Sequence, residues 1–352
     1  MQRTSPNLRL LVVRLSAMGD ILHALPAITA LRLAHPDWHI GWAADPTWIP
    51  LLSSAPNSAA ARTLQQPLVD ALHPVPAKRW SRQPFAAQTW HEIGRVRREL
   101  SAANYDVVID LQGAVRSAVI ARWSHAARLL GEAAPREPLA RFLYREPIPA
   151  PAAHVVERAV QVAAAITGEA LKAAKPMLPT DYAAEEWANK EVQSRPTVLI
   201  NPGAGWGAKR WPAERYGQVA RLLAGRGFSV RINCGPGEES LAEAIEKASN
   251  STAIRIQCDL SRFLAITRRA VLAIGGDTGP MHLASALGKP VVGIYGPTDP
   301  DRNGPYGAPF IALRHPESKR DHSRKDAPEA GLLTITPEAV FQAAEKLLEL
   351  HA

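Results

Sequence analysis

The sequence has only two cysteines, Cys234 and Cys258, in 352 residues. They form no C-x-x-C pair and are too few for a zinc site, so free thiols in a reducing compartment are expected, with neither disulfide nor metal. Long apolar runs are also missing. The stretch from Leu8 to Leu15 is interrupted by Arg9 and Arg14 and soon followed by Asp20, which suits neither a signal-peptide core nor a membrane span. A cytoplasmic protein is expected. No zinc-finger pattern, aromatic-rich RNA motif or long Lys/Arg run occurs, which argues against a nucleic-acid partner. Acidic residues are the minority charge: 33 Asp and Glu stand against 41 Lys and Arg, for a formal net charge of +8. That excess favours a polyanionic partner such as an anionic membrane surface or a phosphorylated substrate.

Hydrophobic residues at 46 % and charged residues at 21 % describe an ordinary globular chain, and 352 residues exceed what one core usually organises. Two domains follow. Strand-like runs at Leu8 to Leu15, His39 to Ala43, Ala71 to Val75, Asp106 to Leu111 and Ala127 to Gly131 alternate with helical patterns at Ile21 to Ala34, Trp90 to Ala102 and Ser117 to Trp123. After a proline-punctuated linker around Lys172 to Asp181 the same logic repeats, with strands at Thr197 to Asn201, Phe228 to Cys234, Ala253 to Ile256, Val271 to Ile274 and Pro290 to Ile294. Strands alternating with helices predict an α/β fold with parallel, doubly wound sheets.

In such sheets ligands meet the loops beyond the carboxyl ends of the strands. Asp20, after the first strand, either caps its helix or serves as a general base. The loop Asn201 to Pro212 places three glycines before Lys209 and Arg210, which suits phosphate contact. It lacks the G-x-x-x-x-G-K-[ST] spacing of a P-loop. Glu238 and Glu239 open a helix, where they either hold ribose hydroxyls or complement the helix dipole. The sharpest segment is Gly275 to His282. Pro280 is expected at the first helical position, leaving the N–H groups of Thr278, Gly279, Met281 and His282 around a helix start that attracts a diphosphate. Asp277 would repel a diphosphate that it faced, so sugar hydroxyls beside it are the better partner.

The segments Ser16 to Pro26, Asp110 to Gly113 with Arg116 and Ser117, Arg136 to Ala140, Lys209 to Pro212, Gly276 to His282 and Tyr295 to Pro300 together resemble glycosyltransferase family 9. Each is short; their order and spacing from about Leu8 to the end make the likeness specific. The resemblance implies the GT-B fold, two Rossmann-like doubly wound parallel-sheet domains facing across a cleft. Residues 1–175 would form the acceptor-binding domain and 176–335 the donor-binding domain, with the helix of 336–352 free to pack back on the first.

It further implies an inverting transfer of heptose from ADP-L-glycero-β-D-manno-heptose to the lipopolysaccharide inner core, with no metal and no cofactor. Asp20 would take the acceptor proton and Lys209 would neutralise the leaving ADP. Glu239, with Glu238 as its rival, would hold the ribose; Thr278, Gly279 and His282 would line the phosphates with the Met281 N–H at the same helix start, and Asp277 would hold heptose hydroxyls. Lys78, Arg79, Arg82, Arg116 and Arg136, with Arg141, would meet the Kdo carboxylates and lipid phosphate of the acceptor. Within the family, Lys78-Arg79-Trp80 and Arg136 to Ala140 favour the enzymes that add the first heptose over those that add the second. The implied partners are ADP-heptose and Kdo-lipid A, met by a monomer lying peripherally on the inner face of the cytoplasmic membrane. The rival readings are a second-heptose transferase, a nucleotide-sugar epimerase and a non-catalytic two-lobed binding module.

Overall fold

The computed structural model describes residues 7–55, 62–192, 195–318, 321 and 326–350, and the chain divides into two compact units, Met1–Thr180 and Asp181–Ala352. The first unit runs β1 (Arg9–Val13), α1 (Met18–Ala34), β2 (His39–Ala44), β3 (Ala71–Pro74), α2 (Ala77–Arg82), α3 (Ala87–Ala102), β4 (Val107–Asp110), α4 (Val115–Arg122), β5 (Arg128–Glu132), β6 (Glu146–Ile148) and α5 (Val155–Ala164). Its six strands are all parallel, in the order β3-β2-β1-β4-β5-β6. Leu10 to Val13 are wholly buried, as an unbroken apolar run must be when helices cover both faces of a parallel sheet.

The second unit runs α6 (Tyr182–Glu191), β7 (Thr197–Asn201), α7 (Ala213–Gly225), β8 (Ser229–Asn233), α8 (Glu239–Ala248), β9 (Ala253–Ile256), α9 (Leu260–Arg269), β10 (Leu272–Gly276), α10 (Gly279–Ala286), β11 (Val291–Tyr295), α11 (Pro300–Asn303), β12 (Phe310–Arg314) and α12 (Pro337–Glu349). Its sheet is again parallel and six-stranded, ordered β12-β11-β10-β7-β8-β9. Read in chain order, both sheets follow the 3-2-1-4-5-6 pattern of a dinucleotide-binding fold, whose topological switch point lies between the first and fourth strands. That point is β1/β4 in the first unit and β7/β10 in the second.

Two expectations change. The boundary falls at Thr180 rather than 175, because the linker is tied to the first unit. Ala174 donates to the Pro26 carbonyl at 3.2 Å and Met177 to Thr29 Oγ1 at 3.2 Å, while Thr180 donates to the Leu64 carbonyl at 2.8 Å. The closing helix α12, expected to be able to return to the first domain, stays on the second. Val340, Ala343, Ala344 and Leu347 join its core beside Val219 and Leu223 of α7, so the apolar face of the helix is already covered there.

The first unit also buries a titratable pair at the amino-terminal side of β4. His73 on β3 meets the Tyr105 hydroxyl at 2.7 Å, and burial, opposed by Glu99 and aided by His39, lowers its imidazole to about 4. A histidine with a lowered folded pKa binds its proton first in the unfolded chain, at about 6.5. Stability is therefore fully present above about 6.5 and falls as the pH drops toward about 4, by up to about 3 kcal/mol. The unfolding midpoint of the first unit should fall between pH 7 and 4.5, and His73→Gln should remove more than half of that slope. A midpoint indifferent to pH over this window would contradict the assignment.

Candidate active site

At the switch point of the first unit, Asp20 lies in the first turn of α1. Its Oδ2 accepts the Ala17 N–H at 3.0 Å and its Oδ1 pairs with Arg14 Nη2 at 2.8 Å. The helix-capping role is thus real, and the carboxylate is still about two-fifths exposed (39 %), so it also faces solvent as a base requires. Arg14 is itself held. Its Nη1 donates to the Leu111 carbonyl, and the neighbouring Leu15 N–H donates to Gln112 Oε1 at 2.8 Å. The loop that carries Leu111 and Gln112 is folded around Asp110, which accepts from the N–H groups of Gln112 (2.9 Å) and Gly113 (3.3 Å), from Ser117 Oγ (2.9 Å) and from Tyr144 Oη (2.9 Å). Burial pushes the Asp110 carboxyl up against the pull of these donors. Asp110 and Gln112 thus support Arg14, a role that no local spacing in the sequence shows.

At the switch point of the second unit, Asp277 follows β10 and Lys209 ends the glycine-rich loop after β7. Lys209 Nζ lies 2.6 Å from Asp277 Oδ2, and His282 Nε2 lies 3.3 Å from Asp277 Oδ1. The Lys209 and Asp277 side chains are only 10 % and 7 % exposed, so this is a buried ion pair. Burial opposes the charge on Asp277, yet the hydrogen bond and charge of His282 and the Lys209 ammonium outweigh it and hold the carboxyl well below the usual carboxylate range. Lys209 also stands 4.2 Å from the Trp206 ring centroid, a cation–π contact that the sequence reading missed. The ammonium expected to meet a leaving diphosphate is therefore first a partner of Asp277. It has three N–H donors, of which the carboxylate Oδ2 and, at 3.4 Å, the Asp277 carbonyl take two.

The loop is fixed from behind by a strap that sequence patterning does not reveal. Glu329 donates its N–H to the Ala208 carbonyl at 3.2 Å, and Trp211 Nε1 donates to the Ile335 carbonyl at 3.1 Å. At the start of α10 Pro280 occupies the second helical position rather than the first, and the expected ring of N–H donors is smaller. The N–H groups of Met281 and His282 are directed to the Thr278 carbonyl, at 3.1 and 3.4 Å. Among the described residues no protein acceptor meets the N–H of Thr278 or Gly279. Met281 is a core residue: its side chain is buried and its sulfur accepts from Asn201 Nδ2 at 3.6 Å. Gly275 permits this approach, since a Cβ there would lie 2.4 Å from the Asn201 carbonyl oxygen.

The adjacent glutamates separate. Glu238 folds back so that Oε2 accepts the Gly235 N–H at 2.9 Å, and it lies against Gly203, where a Cβ would stand 2.0 Å from its Oε1. Glu239 opens α8, exposed, with Oε1 receiving the Gly237 N–H at 3.3 Å. Of the two, Glu238 is the one placed beside the glycine loop after β7. In the first unit Lys78, Arg79 and Arg82 belong to α2. Arg79 pairs with Glu92, and Arg116 Nη1 reaches Ser81 Oγ at 3.1 Å; Arg136 stands exposed, its N–H backbone against Gly113. Lys78 and Arg82 are exposed on the same short helix.

Removing one partner of a buried ion pair leaves the other charge uncompensated, so Asp277→Ala should destabilise the second unit by about 3–5 kcal/mol. The double variant Lys209→Met with Asp277→Leu should recover most of that loss in urea unfolding. An unchanged transition for Asp277→Ala would show that the pair is not formed in solution.

With this geometry in hand, the model of Glycosyltransferase family 9 (heptosyltransferase) matches residues 93–332. Lipopolysaccharide heptosyltransferase 1 of Escherichia coli (strain K12) is 30 % identical over 352 residues, covering 97 % of this chain and 100 % of the relative. The solved E. coli heptosyltransferase WaaC with ADP superposes with a TM-score of 0.76 at 28 % identity, covering 97 % of this chain and 100 % of that one. The E. coli WaaC structure with ADP-2-deoxy-2-fluoro heptose gives 0.74 at 28 % identity, covering 96 % and 99 %. Both units lie within these alignments, and the two sheets have the strand order expected of the GT-B fold. The chain belongs to glycosyltransferase family 9 and is a glycosyltransferase.

Proposed function

We propose that this enzyme transfers L-glycero-D-manno-heptose from ADP-heptose to a Kdo hydroxyl of the lipopolysaccharide inner core, the first heptose addition. The observation that carries the reading is the likeness over both units to a lipopolysaccharide heptosyltransferase 1, joined to likeness with a structure that holds an ADP-heptose analogue. The second unit holds the donor. The N–H groups of Thr278 and Gly279, at the positive end of α10, and the remaining donor of Lys209 bind the diphosphate, with His282 orienting Asp277 beside it. Glu238, or Glu239 after a change of rotamer, takes the ribose hydroxyls. Asp277 accepts from heptose hydroxyls with the oxygen edge that Lys209 and His282 leave open.

The first unit supplies the base. As the acceptor oxygen attacks the anomeric carbon, its proton passes to Asp20, and the bond from that carbon to the phosphate oxygen breaks with its electron pair on ADP. Arg14 keeps the carboxylate oriented during the transfer. The positioned donors of the second unit meet the charge that grows on the diphosphate, which is electrostatic stabilisation without reorganisation. Lys78, Arg82, Arg116 and Arg136 attract the Kdo carboxylates and the lipid phosphate, with Arg79 held by Glu92. The enzyme works as a monomer in the cytoplasm, peripherally on the inner face of the membrane that holds its acceptor.

Incubation with ADP-heptose and Kdo2-lipid A should yield a mono-heptosylated lipid by mass spectrometry. Asp20→Asn keeps an acceptor for the Ala17 N–H but cannot take the proton, so turnover should fall by at least about 10²-fold while ADP affinity stays within a few-fold. Wild-type turnover in that variant would return Asp20 to a purely structural cap. ADP binding without transfer to any lipid acceptor would favour a binding module instead.

A further inference from the structure

Among the described residues, the large aromatic side chains that stand most open to solvent cluster in one stretch of the first unit. Phe85 is 95 % exposed, Phe142 80 % and Trp90 62 %, with Leu139 at 68 %. Exposed rings of this size are unusual on a surface that has no partner. The same stretch holds the charge: residues 77–145 contain twelve Lys and Arg against six Asp and Glu, which is six of the eight net positive charges of the chain.

The elements that carry these residues are neighbours. Phe85 links α2 to α3, and Trp90 lies in the first turn of α3. Leu139 and Phe142 project from the 3-10 helix Pro138–Leu143. Between them lies α4, whose Arg116 reaches Ser81 on α2 at 3.1 Å and whose Arg122 reaches the Leu143 carbonyl at 3.3 Å. Beneath this layer Trp80 is buried, with its Nε1 donating to Glu92 at 2.9 Å and its ring 6.5 Å from that of Trp123. The inward aromatic side chains therefore build the core, and Phe85, Trp90 and Phe142 have no such use.

We infer that this face, α2 to α4 with the 3-10 helix Pro138–Leu143, is a docking surface for an anionic lipid bilayer. Phe85, Trp90, Leu139 and Phe142 enter the interfacial region while Arg122 and Arg141 meet lipid phosphates, with the acceptor-facing charges of Lys78, Arg82 and Arg116 adding to the field that draws the face to the bilayer. Aromatic rings prefer the level of the headgroups, and long cationic side chains lay their stems on apolar surface while their charges stay in the wet layer. A positive patch gains from an anionic surface only within a Debye length, roughly 8 Å at physiological ionic strength. The rings therefore hold the contact that the charges steer. No helix among the described residues is long and apolar enough to cross a membrane, and attachment by a surface is consistent with that. The inference rests on the proposed lipid-linked acceptor for its purpose, but its test does not use that acceptor.

The full chain is sedimented with vesicles of phosphatidylethanolamine and phosphatidylglycerol that contain no lipopolysaccharide precursor, and with vesicles of phosphatidylcholine alone. Wild-type protein should bind the anionic vesicles, release them as salt rises and ignore the zwitterionic ones. The variant Phe85→Ser with Phe142→Ser changes side chains that touch little of the fold, and its bound fraction should drop at least about fivefold. Its turnover on a Kdo acceptor lacking acyl chains should equal that of the wild type. Undiminished vesicle binding by the variant, or no binding by the wild type, overturns the proposal. So does a wild-type dimer that the same substitutions convert to monomer, because a second copy would then cover the face. Vesicle binding by a wild type that transfers no heptose supports this surface and counts against the proposed reaction alone.

Discussion

A carboxylate removed from water stays ionised only where cations or hydrogen-bond donors meet it, and the carboxyl-terminal end of the second sheet is organised around that requirement at Asp277. Lys209 and His282 satisfy it from two sides. The consequences spread outward. Lys209 must lie at the end of a short, glycine-rich loop so that its ammonium can reach back to the end of β10, and Trp206 closes over it. The loop in turn needs the strap through Glu329 and Ile335, because glycine supplies no side chain to anchor it. What remains open at the centre is a helix start with free N–H groups and one ammonium donor beside a fixed carboxylate. Such a constellation suits the diphosphate and sugar of the proposed donor.

The first unit solves a simpler problem with the same topology. The carboxylate proposed as its base is exposed, so orientation rather than charge is what the protein must supply. Arg14 provides it, and the Asp110 loop holds Arg14 through Leu111 and Gln112. A chain of contacts thus runs from a buried carboxyl at the end of β4 to an exposed one at the start of α1. It joins the two strands at the switch point, where ligands bind in folds of this kind. The proposed reaction divides the labour accordingly: donor electrostatics on one sheet, proton acceptance on the other.

Much of this was legible in the sequence because parallel strands buried on both faces are unbroken apolar runs. The order of strands and helices and the strands β1 to β5 and β7 to β11 could be read that way, and Asp20, Lys209 and Asp277 could be singled out in the loops that follow them. The last strand of each sheet could not. β6 is three residues long with Pro147 inside it, and β12 is short and only partly buried, so neither shows the pattern of a central strand. The pairing of Lys209 with Asp277 joins residues 68 apart in sequence, and no local spacing announces it. Nor does composition reveal that Met281 turns inward to Asn201 while its N–H serves the helix. Family likeness named the segments; only the packing assigns which atoms are spent within the protein and which are left for a ligand.

In the proposed reaction a single base on the first unit drives one direct displacement at a donor held by the second. Such a displacement must invert the anomeric carbon, so a β-linked ADP-heptose must give an α-linked heptose. Nuclear magnetic resonance of the isolated product reads this from the anomeric one-bond carbon–hydrogen coupling. An α-linkage is the predicted result; a β-linked product would require a second displacement and contradict the role assigned to Asp20.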